Sequence, residues 1–151
     1  MTISTVSPHD AVEIHQLREG LEGVAARMCA VNHPEDIILQ MEQCLDENAE
    51  AFLSGQYSKA IGFDNKFHTL LVAGSGNARM IQITEGILHQ SGRANFLQAT
   101  AAARMKRSAV QHRNILRAIK KSDPDLAEKY AREHMRDVQR FILMYQKTHE
   151  V

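Results

Sequence analysis

Asp64 and His68 stand four residues apart in the segment IGFDNKFHTLL (residues 61–71), among side chains otherwise suited to a core. On a helix that spacing puts the two Cβ atoms ~5–6 Å apart, close enough for both side chains to reach one ion. Two further histidines lie on apolar helical stripes. His112 shares a face with Ile115, Leu116 and Ile119, and His134 with Ala127, Tyr130, Ala131, Val138 and Phe141. Between them the segment KSDPD marks a turn near Asp123, eleven residues after His112 and eleven before His134. In an antiparallel helical hairpin, a rise of ~1.5 Å per residue places both rings at the same level, roughly 16 Å from the turn. One carboxylate and three imidazoles suit a divalent transition metal such as Zn, Ni, Mn or Fe. Coordination would also compensate a buried carboxylate, which is costly when unpaired.

These four residues need three helices to hold them, and the sequence supplies helices throughout. Ser7 or Asp10 can cap a first helix to about Val31, with Val12, Leu17, Leu21, Val24, Ala25 and Met28 on its apolar side. Pro34 suits the start of a second, which runs to about Phe52 through Ile37, Ile38, Met41, Leu45 and Ala49. A third spans about Lys59 to Ala73 and carries Asp64 and His68. GSGN closes it, with Gly74 or Gly76 free to turn left-handed. A fourth follows through Met80, Ile83 and Ile87, and SGRAN loosens the chain near 91–95. A fifth runs from about Leu97 to Lys121. The last starts at Pro124, capped by Ser122 or Asp123, and runs to about Lys147. No strand alternation or internal repeat competes with this reading. The expected fold is all-α: an antiparallel bundle of about six to seven helices enclosing a ligand cavity. The expected division is a flexible start over 1–10 and a single domain over 11–147.

Composition excludes several classes. The chain has 151 residues, enough for one domain with a sizeable core. No apolar run reaches membrane-spanning length and no signal peptide is evident, so the expected location is cytoplasmic. Cys29 and Cys44 lack CxxC spacing and read as buried thiols. The formal net charge is zero but unevenly spread: residues 1–56 hold ten acids and two bases, and residues 86–122 hold eight bases and no acid. That reads first as complementary solvated faces and second as attraction for an anionic ligand. Direct DNA binding by this chain is not expected.

Four segments, EIHQLREGLEGVAARMCA (13–30), FDNKFHTLLVAGSGN (63–77), QHRNILRAIKKSDPDLA (111–127) and AREHM (131–135), occur in an order and spacing that resemble one family. It is the FCD domain, the C-terminal effector-binding domain of FadR-subfamily GntR-type transcriptional regulators. The resemblance runs from about residue 11 to 145. It implies an all-α antiparallel bundle with a small-molecule cavity, and a divalent metal held by one Asp and three His. Carried onto this chain, these are Asp64, His68, His112 and His134, the residues already selected by spacing, with zinc the foremost metal. Arg18 matches the arginine of the family's LR-x-x-LE element, with Glu22 as its acidic partner. It is an expected effector contact, or else half of a surface helix pair. Asn77 matches the SGN position and is expected either to touch effector or to cap the next helix. The chain departs from the common pattern at Gln111, where members frequently carry Glu. His9, His15, His33, His89 and His149 have no matching role and read as surface or boundary residues.

The resemblance implies a metal-dependent sensor of a small carboxylate, acting as a homodimer and reaching DNA only through a winged helix-turn-helix domain absent from this chain. It implies no catalytic activity. A helical metalloenzyme and a purely structural dimerisation module are the competing readings. Against the first, no general base is convincingly placed, and Glu133 beside His134 has the wrong spacing for a di-metal bundle.

Overall fold

The computed structural model describes residues 7–91 and 101–149, and these form six helices and no strand. They are α1 (Pro8–Asn32), α2 (Glu35–Leu53), α3 (Tyr57–Ala73), α4 (Ala78–Ser91), α5 (Ala101–Lys120) and α6 (Pro124–His149). The expected start of the fifth helix near Leu97 lies outside the described residues, as does all of the 91–95 break except Ser91.

The caps follow local chemistry. Ser7 Oγ accepts from Asp10 N, and the Asp10 carboxylate accepts from Ser7 N, a reciprocal capping box. The three residues Pro8, His9 and Asp10, expected in the flexible start, thus belong to α1. Asp123 Oδ1 accepts from Leu126 N and Pro124 opens α6. Gly76, with φ +68°, makes the left-handed turn between α3 and α4, whereas Gly74 stays right-handed. His33 and Ser122 are the non-glycine residues at positive φ among those described, and Ser122 Oγ lies 3.1 Å from His33 Nδ1. That contact joins the α1–α2 turn to the α5–α6 turn at one end of the bundle.

α1 lies antiparallel along α6, α2 along α3, and α5 along α6. The main core joins Ala26, Cys29 and Ala30 of α1 to Met41 and Leu45 of α2 and Phe67 and Leu71 of α3, with Ile115 and Ile119 of α5 and Ala131 of α6. α1 contributes mostly small side chains, so its neighbours approach closely. A Cβ on Gly74 would lie 2.4 Å from Cys29 Sγ. Both cysteines are buried free thiols, raised by burial to about 11.

Packing corrects the expectation for α1. Leu17 and Val24 do not enter the core; they are 56% and 37% exposed, and Val31 is 67% exposed. The inward face is Ala11, Ile14, Ala25, Ala26, Cys29 and Ala30. α1 has two apolar faces, and the one made of small residues is buried because only it allows the tight approach of α3 and α6.

The uneven charge resolves as complementary faces. Lys120 and Arg113 of the basic α5 pair with Glu42 and Asp46 of the acidic α2 at 2.6 and 2.8 Å. Arg27 pairs with Asp125 and Glu128 across α1 and α6. These pairs are largely exposed and contribute little each.

Candidate metal centre

The hairpin geometry read from the sequence holds. His112 of α5 and His134 of α6 face each other with Nε2 atoms 3.1 Å apart. His68 of α3 completes a triad, its Nε2 also 3.1 Å from that of His112. All three rings are buried. Asp64, one turn before His68, brings Oδ1 to 3.3 Å from His68 Nε2 and 3.8 Å from His112 Nε2. Its side chain is a quarter exposed, whereas the His68 side chain is 2% exposed. Phe67, itself fully buried, stacks on His112 with ring centroids 4.6 Å apart.

What fixes the rings lies behind them. His68 Nδ1 hydrogen-bonds Glu22 Oε1 of α1. His134 Nδ1 faces Gln111 Oε1, and Gln111 Nε2 in turn donates to Asp137 Oδ2 at 3.1 Å. Asp137 is itself clamped by two bonds from Arg107, at 2.7 and 2.8 Å. With Nδ1–H given to an oxygen, a neutral imidazole turns its lone pair outward at Nε2. His68 and His134 have such an oxygen at Nδ1, and their Nε2 atoms both lie 3.1 Å from that of His112. Where all three rings present lone pairs they repel, and a cation among them removes that repulsion. A four- or six-coordinate ion with ligand distances of ~2.1 Å separates neighbouring donors by roughly 3.0–3.4 Å, and the His68–His112 and His112–His134 separations of 3.1 Å fall in that range. The donor set of His68, His112 and His134 therefore fits a metal ion, and Asp64 brings a carboxylate oxygen to 3.3 Å from His68 Nε2.

The electrostatics agree. Burial pushes the His112 pKa down to about 4, and burial together with the neighbouring rings pushes His134 well below its ordinary value. Both stay neutral, the ligating form. Burial alone would raise Asp64, but His112 and His68 outweigh it and hold the carboxyl well below the usual range. Burial opposes protonation of His68, and Glu22 outweighs it, raising the pKa. Burial would raise Glu22 too, but Arg18 and His68 overcome it and lower the carboxyl to about 2.

Arg18 sits beside the centre rather than on the surface. It and Glu22 form the i,i+4 pair at 2.6 Å, but their side chains are 5% and 1% exposed. His15, expected at the surface or boundary, is corrected to a buried position. Its Nδ1 meets Ala11 O at 2.7 Å and its Nε2 lies 3.4 Å from Arg18 Nη1. Burial, then the Arg18 charge, lowers its pKa to about 3, so it is a neutral partner for the guanidinium. His9 and His89 are exposed and His33 is half-buried, as expected of them. Asn77 Oδ1 accepts from Met80 N at 3.0 Å and caps α4.

On the sequence alone Glu22 is only a partner of Arg18, and Gln111 only a departure from the family pattern. The i,i+7 spacing of His15 and Glu22 through Arg18 was the available signal of one polar face on α1.

The same bundle occurs in known proteins. A Bacillus subtilis HTH-type transcriptional regulator, YdhC, is 25% identical over 134 residues, covering 88% of this chain and 60% of its own length. Among solved structures, Streptococcus agalactiae GntR superposes with a TM-score of 0.75 at 24% identity, over 86% of this chain and 58% of that one. E. coli McbR/YncC gives a TM-score of 0.83 at 17% identity, over 95% and 68%. The chain thus spans about three-fifths of the length of the first two. The FCD domain model matches residues 13–137, a span that holds the three histidines, Asp64, Arg18 and Glu22, and the chain belongs to the FCD domain family.

Proposed function

We propose that the chain is a metal-dependent sensing domain of a GntR-type transcriptional regulator, responding to a small carboxylate. The observation that carries this reading is the gathering of His68, His112 and His134, with the Asp64 carboxylate beside His68 and His112. These four residues would hold the ion, zinc in the first place and Ni, Mn or Fe otherwise. The ion would supply a concentrated positive charge and an open coordination position. Arg18, buried beside it, adds guanidinium donors suited to a carboxylate. Asn77 has its carboxamide oxygen in a helix cap, so it would reach an effector through its amide nitrogen.

The centre draws ligands from α3, α5 and α6, and its supports include α1. An effector that binds one arrangement of these helices better than another shifts the bundle between them. The readout would pass to a DNA-binding domain outside this chain, through a homodimer. The α1 face left outside the core supports the dimer. Leu17, Leu21, Val24, Met28 and Val31 follow a four-three-four-three spacing, the apolar seam of paired helices. A self-complementary seam suits a second copy of the same chain.

Elemental analysis of protein purified from zinc-containing medium tests the metal. Near-stoichiometric zinc is expected, with a melting temperature that falls on chelation. Binding at a hundred times Kd stabilises by about 2.7 kcal/mol, or roughly 5–10 °C for a domain of this size. Absence of metal together with an unchanged melting temperature would remove the metal from this reading.

A further inference from the structure

Gln111 of α5 and His134 of α6 face each other, and their contact has a direction. A side-chain amide has one end that accepts and one that donates. With its Oε1 toward the ring, Gln111 accepts from Nδ1–H, and His134 keeps its lone pair at Nε2, toward His112. Turned over, the amide would present N–H to Nδ1. The proton of the neutral ring would then sit on Nε2, where it blocks a metal. Nothing in the amide itself prefers the first arrangement, so the preference comes from what holds its other end.

Asp137 holds that end. Its Oδ2 accepts from Gln111 Nε2 at 3.1 Å, and Arg107 fixes the carboxylate with bonds at 2.7 and 2.8 Å. Burial would raise the Asp137 carboxyl, but the bonds from Arg107 and Gln111 overcome it and hold it below its ordinary value. An ionised carboxylate only accepts. An overturned Gln111 would set amide oxygen against carboxylate oxygen in a part-buried site, two acceptors with no proton between them. The spacing builds this path. Arg107 and Gln111 stand four apart on α5, and His134 and Asp137 three apart on α6, so each pair shares a helix face and every hydrogen bond crosses from one helix to the other. His68 has no such intermediary, because its Nδ1 meets the Glu22 carboxylate directly.

We propose that Asp137 is a positioning residue of the metal centre: acting through Gln111, it selects the Nδ1–H form of His134 and so turns the Nε2 lone pair toward His112. This rests on the metal reading above, and it places the determinant of one ligand's ring form a full side chain away from that ligand. What His134 requires is an acceptor at position 111. A glutamine supplies one only while an acid lies behind it, whereas a glutamate would supply one unaided.

Two measurements test this: zinc affinity by chelator competition, and the His134 tautomer by long-range proton–nitrogen correlation in the zinc-free chain at neutral pH. The unaltered chain should hold His134 in the Nδ1–H form. In D137N that form should give way to a mixture with Nε2–H, and zinc affinity should fall about 10- to 100-fold. Q111E/D137N exchanges the acid and the amide, and it should restore both the tautomer and the zinc affinity. A merely structural Asp137 predicts the reverse, a double variant no better than D137N. An unchanged tautomer in D137N, or a double variant that restores neither property, would overturn the assignment. Should D137N fold poorly, the unaltered chain and the double variant still decide: an Nε2–H form of His134 in either overturns it. A tautomer that follows Asp137 in a chain that binds no zinc would remove the metal reading and leave this assignment standing.

Discussion

Glu22 on α1 and His68 on α3 are joined through a carboxylate oxygen and Nδ1, and that contact decides which nitrogen of His68 faces the centre. The same carboxylate also holds Arg18, at 2.6 Å through its other oxygen. One acid thus orients a metal-ligand candidate and neutralises an effector-contact candidate, and it ties α1 to a centre whose ligands come from other helices.

Glu22→Gln separates those tasks. The amide can still accept from His68 but no longer balances Arg18 or strengthens the basicity of the ring. Zinc affinity should fall about 10- to 100-fold in a competition titration with a chromogenic chelator. Stability should fall by about 3 kcal/mol, because Arg18 is left buried and uncompensated. An unchanged zinc affinity would limit Glu22 to a structural ion pair.

The metal-free domain should lose stability as pH falls from 6.5. His112 and His15 have folded pKa values of about 4 and about 3, depressed from an ordinary 6.5. Below 6.5 the unfolded chain takes up protons that these buried rings refuse, so stability declines toward pH 4 and further toward pH 3. A tenfold difference in proton affinity between the folded and unfolded chain corresponds to about 1.4 kcal/mol, so the two rings together account for several kcal/mol. His68 runs the other way: its raised pKa contributes stability at low pH that is lost as pH rises past that value. With His134 also depressed, the lowered rings outnumber the raised one. Urea midpoints between pH 4 and 7 in the presence of chelator should rise with pH; a flat profile would contradict the burial argument.

Gly74→Ala should destabilise the fold by about 1–3 kcal/mol, the usual range for overpacking. The added methyl would fall 2.4 Å from Cys29 Sγ, and no backbone strain is involved at φ −64°. Cys29→Ala should recover much of the loss in the double variant. Additive losses in that cycle would show that the two residues do not meet.

Leu17→Glu combined with Val24→Glu tests the outer seam of α1. Both positions are exposed in the single chain, so the variant should keep its helicity and melting behaviour as a monomer. Light scattering after size exclusion should show the unaltered chain at twice the mass of this variant. Equal masses would remove α1 as the dimer surface.

The sequence determined the helices and the candidate ligands. Apolar residues at a 3.6 period, a cap at Ser7 or Asp10 and at Ser122 or Asp123, and a turn at Gly74 or Gly76 are local signals; the structure selects Ser7, Asp123 and Gly76. The register of His112 against His134 was also legible, because a tight hairpin fixes which residues lie level. The outward face of α1 was not. Leu17, Val24 and Val31 have the same periodicity as a core stripe, and only the close approach of α3 and α6 shows that the alanine face is the one buried. Nor could spacing show that His15 is sealed beneath Arg18, that Glu22 meets His68 across 46 residues, or that Gln111 supports His134. Those contacts depend on how whole helices pack, and that is set by the sum of many side-chain volumes rather than by any one segment.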